Sequence, residues 1–306
     1  MKRWPVFLAL ALVCGAPVTR AEAETIIGLT TANQLFTFDS TTPGTTTAPT
    51  AVTGLAAGST LVGIDIRPVD GQLIGLGIVG GVGTVYSINP ATGAATAINT
   101  GIALTGVVFE IDFNPAVNAL RIVSGTGQNL RIVNGGAGTV NVDTPLNPGT
   151  PSVVGAAYSN NFVGALSTTL YDIAIDDQTN LILETQGSPG GSPVSPNSGT
   201  LFLVGPLGFN TGDPSSNPIG FDISGSTGTA FASRASSGLY TINLTTGAGT
   251  LVGQIGPGSF SVSDITAQGG PTQIVPEPGS ITLLGLGIAG LLGSQWRRRK
   301  LARRAE

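Results

Sequence analysis

A short apolar pattern returns along this chain, and any fold must give its copies equivalent surroundings. Gln34-Leu35-Phe36-Thr37-Phe38-Asp39 is matched by Thr84-Val85-Tyr86-Ser87-Ile88-Asn89 and by Asn129-Leu130-Arg131-Ile132-Val133-Asn134. Further matches are Thr169-Leu170-Tyr171-Asp172-Ile173, Thr200-Leu201-Phe202-Leu203-Val204 and Gly238-Leu239-Tyr240-Thr241-Ile242-Asn243. From Leu35 to Leu239 the steps are 50, 45, 40, 31 and 38 residues. Repetition at this period signals a solenoid, propeller or array.

The repeat is built of strands. Apolar and polar residues alternate over short runs, which end in Asn-Pro, Thr-Gly or glycine clusters. The 46 glycines suit tight turns rather than helices. Residues 86–94 and 240–248 are near copies, and the Thr-Gly step in each closes a hairpin.

A second element recurs between these units: Ile64-Asp65-Ile66, Ile111-Asp112-Phe113, Phe221-Asp222-Ile223 and Ser263-Asp264-Ile265. A third follows it, as in Leu73-Ile74-Gly75-Leu76 and Leu120-Arg121-Ile122-Val123. Three or four strands per roughly 40 residues is the blade of a β-propeller. Six units imply six blades, and the 31-residue step leaves five or seven open. An open β-sandwich or a β-solenoid is the alternative all-β architecture.

Thr25-Ile26-Ile27-Gly28-Leu29 resembles the third element without the strands that should precede it, and the last unit stops at Asp264-Ile265-Thr266-Ala267. Pairing these two segments completes the final blade and removes two exposed edges. Residues 188–198, rich in glycine and proline, read as a loop, and Asp176 to Asn180 as a hairpin turn. The shared repeat position of Phe36, Tyr86, Tyr171, Phe202 and Tyr240 places these rings in the core between blades.

The four repeated aspartates are the sharpest site candidates. If their strand is innermost, period-2 alternation turns Asp65, Asp112, Asp222 and Asp264 away from their apolar neighbours, toward the central channel or a blade junction. There, each either accepts backbone amides or shares a hard cation such as calcium. Arg121 and Arg131, ten residues apart, form a second candidate, for an anionic group or sugar acid. The alternative is pairing with Glu110, Asp112 or Asp143.

Composition limits the chemistry. The chain has no histidine, and its one cysteine, Cys14, lies near the N-terminus. Ser-His-Asp and Cys-His pairs are therefore excluded, as are zinc sites built on imidazole or thiolate. Residues 24–279 hold four arginines (Arg67, Arg121, Arg131 and Arg234) against 15 acids, a net charge near −11. Such a surface repels phosphate backbones and excludes nucleic-acid binding.

The basic residues collect at the two ends. Lys2 and Arg3 precede the apolar Val6–Val13 run, and Ala21 and Ala23 place small residues where a signal peptidase needs them. Residues 1–23 thus read as a signal peptide, 24–268 as the body and 269–279 as a linker. Residues 280–296 read as a transmembrane helix and 297–306 as a basic cytoplasmic tail. The 17-residue apolar stretch spans about 25 Å as a helix, slightly short of a bilayer core. Arg297, Arg298, Arg299 and Lys300 form a cationic stop.

Pro276-Glu277-Pro278, the Leu283–Gly287 run and the arginine cluster together resemble the PEP-CTERM sorting signal. That resemblance implies recognition by an exosortase, a membrane-embedded protease, with brief tethering in the inner membrane and a link to exopolysaccharide and biofilm matrix. The body resembles a domain of unknown function found in bacterial exoproteins, through Asp112-Phe113-Asn114-Pro115, Ser124 to Arg131 and Val154 to Tyr158. These features point to a non-enzymatic surface or matrix protein that is structural or binds a partner. A metal-dependent hydrolase or lactonase and a calcium-dependent carbohydrate binder are the other readings. No cofactor is required beyond a possible calcium ion.

Overall fold

A computed structural model describes residues 23–176, 180–209, 219–234, 238–258 and 261–268. The segments expected to form the signal peptide (all but residue 23), the linker, the transmembrane helix and the basic tail lie outside these residues. Among the described residues no helix is long and apolar enough to cross a membrane.

The body is an all-β propeller with five blades, each a four-stranded antiparallel sheet. Blade 1 is β1 (Thr25–Thr30), β2 (Gln34–Asp39) and β3 (Thr50–Ala51), plus a strand from the far end of the body. Blade 2 is β4 (Thr60–Arg67), β5 (Gln72–Val79), β6 (Val82–Ile88) and β7 (Ala95–Ala103). Blade 3 is β8 (Phe109–Asn114), β9 (Ala119–Ser124), β10 (Asn129–Ile132) and β11 (Val140–Val142). Blade 4 is β12 (Ser152–Tyr158), β13 (Leu170–Ile175), β14 (Leu181–Gln186) and β15 (Leu201–Pro206). Blade 5 is β16 (Phe221–Ile223), β17 (Ala230–Ser233), β18 (Gly238–Ile242) and β19 (Gly249–Gln254).

The last strand, β20 (Val262–Gln268), returns to blade 1 and pairs with β1, from Thr25↔Gln268 to Thr30↔Val262. The closure expected from the two incomplete end units is therefore present. Glu24 fastens the same joint. Its carboxylate accepts hydrogen bonds from the hydroxyls of Ser224, Ser226 and Thr227 in blade 5. Its backbone N–H donates to Ser40 Oγ at 3.0 Å.

Six blades were expected and five are found. The copies at residues 169–173 and 200–204 do not head separate blades: they are β13 and the outermost strand β15 of one blade. The third strand of blade 4 is instead Leu181–Gln186, whose sequence lacks the aromatic. The 31-residue step thus lies within a blade. Alternating apolar residues mark every half-buried strand and do not say which rank it holds in the sheet. For the same reason the aromatics part ways. Phe36 and Tyr86 are buried, whereas Phe202 on β15 is 42% exposed and does not belong to the core.

The near-copy turns do the same job twice. Asn89 and Asn243 each accept the N–H of a left-handed glycine, Gly93 (φ 70°) and Gly247 (φ 80°), both at 2.8 Å. A Cβ on Gly93 would stand 2.2 Å from Ala51 O of blade 1, and one on Gly247 2.4 Å from Gly205 O of blade 4. Each hairpin therefore docks its glycine onto the outer strand of the preceding blade, a contact no larger residue can make.

Five apolar clusters fill the five blade junctions. Phe109, Ile111 and Phe113 meet Ile74, Leu76 and Val85 between blades 2 and 3. Phe221 and Ile223 meet Ile173 and Leu183 between blades 4 and 5. Comparable clusters join blade 5 to 1 and blade 1 to 2. The junction of blades 3 and 4 is different. Its cluster, which includes Val123, Leu146, Tyr158 and Leu170, shares the interface with a buried polar network.

Candidate functional site

The innermost strands β20, β4, β8, β12 and β16 ring the axis, and four of them carry the repeated aspartate. Asp65, Asp112, Asp222 and Asp264 are each no more than 2% exposed. Four hydrogen bonds link each of these carboxylates to the next inner strand in one rotational sense. Asp264 Oδ2 accepts from Ile64 N at 2.6 Å, Asp65 Oδ2 from Phe113 N at 2.7 Å and Asp112 Oδ1 from Tyr158 N at 3.0 Å. Asp222 Oδ2 continues the series with Ala267 N at 2.6 Å. The junction between blades 4 and 5 has no such bond because β12 carries Ala157, opposite Tyr171 on its second strand, where the other inner strands carry aspartate.

The same groups converge. Asp65, Asp112 and Asp222 each bring one carboxylate oxygen within 4.8 Å of the other two. Asp264 stands beside them, and Glu110, two residues before Asp112 on β8, is a fifth buried acid. Burial pushes the carboxyls of Asp65, Asp112, Asp264 and Glu110 well above the usual range, and like charges across the axis add to it. Asp222 is pushed up to about 6, chiefly by burial, with its amide and hydroxyl donors opposing the rise.

A polar seam runs outward from this centre between blades 3 and 4. Arg121 faces Asp112 directly across the β8–β9 ladder and is 1% exposed. Its guanidinium donates to Asn129 Oδ1 (2.8 Å), Asp143 Oδ2 (2.7 Å), Asn197 Oδ1 (2.6 Å) and Tyr158 Oη (3.3 Å). Gln186 Nε2 adds a bond to Asn129 Oδ1 at 3.1 Å. Arg131, opposite Arg121 on the next strand, also binds Asp143, at 3.1 Å. Arg121 and Arg131, candidates for an external anion, thus converge on Asp143, one of the internal partners considered for them.

Arg131 keeps a second environment. It lines a surface cleft of about 330 Å³ with Asn114, Ser167, Thr168, Ser195 and Asn197, closed on one side by the Gly190-Gly191 loop. Sequence reading missed Glu110, Asn129, Tyr158, Gln186 and Asn197 as members of a site. Glu110 was within reach, since its spacing from Asp112 puts both on one face of β8.

Asp172 lies at the inner side of the seam. Both of its oxygens are buried without a hydrogen-bond partner among the described residues. Burial pushes its carboxyl well above the usual range, Glu184 directly opposite adds to that, and Arg121 opposes it. An acid raised on folding contributes its stability below about pH 4, where both states hold the proton, and loses it as pH climbs toward the folded-state pKa. We expect Asp172→Asn to match wild type near pH 4. At pH 8 it should be more stable by about 1–3 kcal/mol, the scale of an unsatisfied buried polar group. Urea unfolding at the two pH values measures this, and a difference independent of pH contradicts it.

These features define a five-bladed propeller with an acid-lined axis and one polar blade junction. The chain belongs to the family described as Domain of unknown function (DUF4394), whose model matches residues 34–266. Residues 275–300 match the PEP-CTERM protein-sorting motif. Three solved structures show weak overall likeness. One, titled as a nidogen/laminin complex, gives a TM-score of 0.49 at 9% identity and covers 81% of this chain and 98% of its own. A protein from Lactobacillus plantarum gives 0.39 at 16%, covering 77% and 67%. TolB from Acinetobacter baumannii gives 0.43 at 14%, covering 76% and 53%. No curated protein matches the chain.

Proposed function

We propose that this protein is a non-catalytic component of the bacterial cell surface or extracellular matrix, delivered there by exosortase processing. The sorting motif at residues 275–300, placed directly after the propeller, carries this reading. The PEP-CTERM motif implies export and transit through the membrane. In our reading, cleavage after Ala23 frees the N-terminus, residues 280–296 hold the chain briefly in the inner membrane, and cutting at Pro276-Glu277-Pro278 releases the body. The lack of histidine in the chain, and of cysteine beyond Cys14, supports a binding rather than a covalent role.

The binding surface we favour is the cleft between blades 3 and 4. Amide and hydroxyl side chains line it beside Arg131, which suits a hydroxyl-rich glycan. The net acidity of the body argues against a strongly anionic polymer. Deleting residues 276–278 should leave the protein in the inner-membrane fraction, while wild type appears at the surface or in the medium. Unchanged surface delivery of the deletion refutes the sorting part of this proposal.

A further inference from the structure

We propose that the axis of the propeller binds one divalent cation of the calcium class, held by Asp65, Asp112 and Asp222 with Glu110 completing the donor set. The inference goes beyond the sorting and glycan-binding reading and does not depend on it.

The first observation is convergence across the ring. Blades 3 and 5 are not neighbours, yet carboxylate oxygens of Asp112 and Asp222 lie within 4.8 Å of each other and of one from Asp65. Only side chains that point at the axis can meet in this way. Three oxygens at such separations span the reach of an ion that binds each at about 2.3–2.6 Å.

The second observation is independent of that triad. Glu110 is 2% exposed, and its Oε1 has no hydrogen-bond partner among the described residues. It shares the Asp112 face of β8, and the charge it meets is that of Asp264, another axial acid. A buried acceptor left unpaired within reach of another axial carboxylate is poorly explained by packing alone.

The third observation concerns the partners these acids have. Asp65 accepts N–H bonds from Ile66 at 2.6 Å and Phe113 at 2.7 Å, and Asp222 from Ile223 and Ala267, both at 2.6 Å. The Thr266 hydroxyl bridges the two acids, at 3.2 Å from Asp65 Oδ1 and 3.0 Å from Asp222 Oδ2. All of these donors are neutral, while Arg67 is committed to Asp70 and Arg121 and Arg131 to Asp143. A cation on oxygen ligands would supply the positive charge that these donors do not.

The donor chemistry selects the ion. All four groups are hard carboxylates, which excludes soft-metal preference. Their burial leaves little room for retained water, which disfavours magnesium, since magnesium dehydrates reluctantly. The ion would join blades 2, 3 and 5 at the one place where their inner strands approach each other.

The test uses the full chain purified without chelator and then passed into metal-free buffer. We expect elemental analysis to find close to one calcium per chain. We expect EGTA to lower Tm by about 5 °C or more, and calcium, but not equimolar magnesium, to restore it. Asp112→Asn retains an oxygen to accept from Tyr158 N and should fold, yet its Tm should ignore calcium. Glu110→Gln, whose Oε1 has no bond to lose, should weaken calcium binding at least tenfold by titration. A metal-free wild-type protein whose Tm is the same with calcium and EGTA overturns the proposal and assigns the axial acids protons instead. Calcium binding of wild-type strength in Glu110→Gln, or in a folded Asp112→Asn, also overturns it, because the ion then sits elsewhere.

Discussion

Arg121→Ala should destabilise the protein by about 3–5 kcal/mol, the cost of removing one partner from a buried ion pair. Four acceptors depend on this guanidinium: Asn129, Asp143, Asn197 and the Tyr158 hydroxyl. They come from both sides of the blade 3–4 junction, so the loss opens the seam as well as unpairing a charge. Arg131→Ala should cost at most about 1 kcal/mol, because that side chain is 26% exposed and water screens its bond to Asp143. The double variant Arg121→Met/Asp143→Leu should recover much of the loss, since apolar residues of similar volume replace buried pairs at little cost. Urea unfolding of the four proteins provides the comparison. A loss below 1 kcal/mol for Arg121→Ala would mean that the network is not under tension from burial.

Deleting Glu24 to Thr30 should abolish cooperative folding. Ile26, Ile27 and Leu29 are at most 2% exposed, and each contributes roughly 1.5–3 kcal/mol through burial. Together they approach the whole stability of a typical domain, about 5–15 kcal/mol. The deletion also strips β20 of its partner, leaves an unpaired edge on β2 and removes the Glu24 clasp to Ser224 and Thr227. A synthetic peptide of residues 24–30 should restore a sharp melting transition by adding the strand back. A sharp transition in the deletion without peptide would show that the ring does not need closing.

The parts legible in the sequence were those with a fixed place in the repeat. The aspartates at 65, 112, 222 and 264 stood in one register, and their strand is the innermost one. The closure of Thr25–Leu29 onto Asp264–Ala267 followed from two incomplete units. Blade 4 misled because its third strand, Leu181–Gln186, carries no aromatic, while its second and fourth strands mimic the repeat. It is also the blade whose inner strand lost the aspartate, so both markers fail together. The polar seam was hidden for another reason. Asn129, Asp143, Gln186 and Asn197 come from separate strands and loops, and none belongs to a local motif. Only the unusual charge of Arg121, in a strand otherwise apolar, signalled that something had to neutralise it.

The joint between β1 and β20 also sets an order of events. The strand made first has its partner in the strand made last; Ser263 Oγ reaches Leu29 O across 234 residues. Long-range pairings of this kind form late, because the loop entropy must be met before any contact rewards it. While the chain is still emerging through a translocation pore, four blades can assemble in sequence, and the first must wait with its inner edge bare. The annulus therefore locks only when residue 268 is free. That leaves a short interval in which an incompletely exported polypeptide is open to chaperones and proteases and a fully exported one is not.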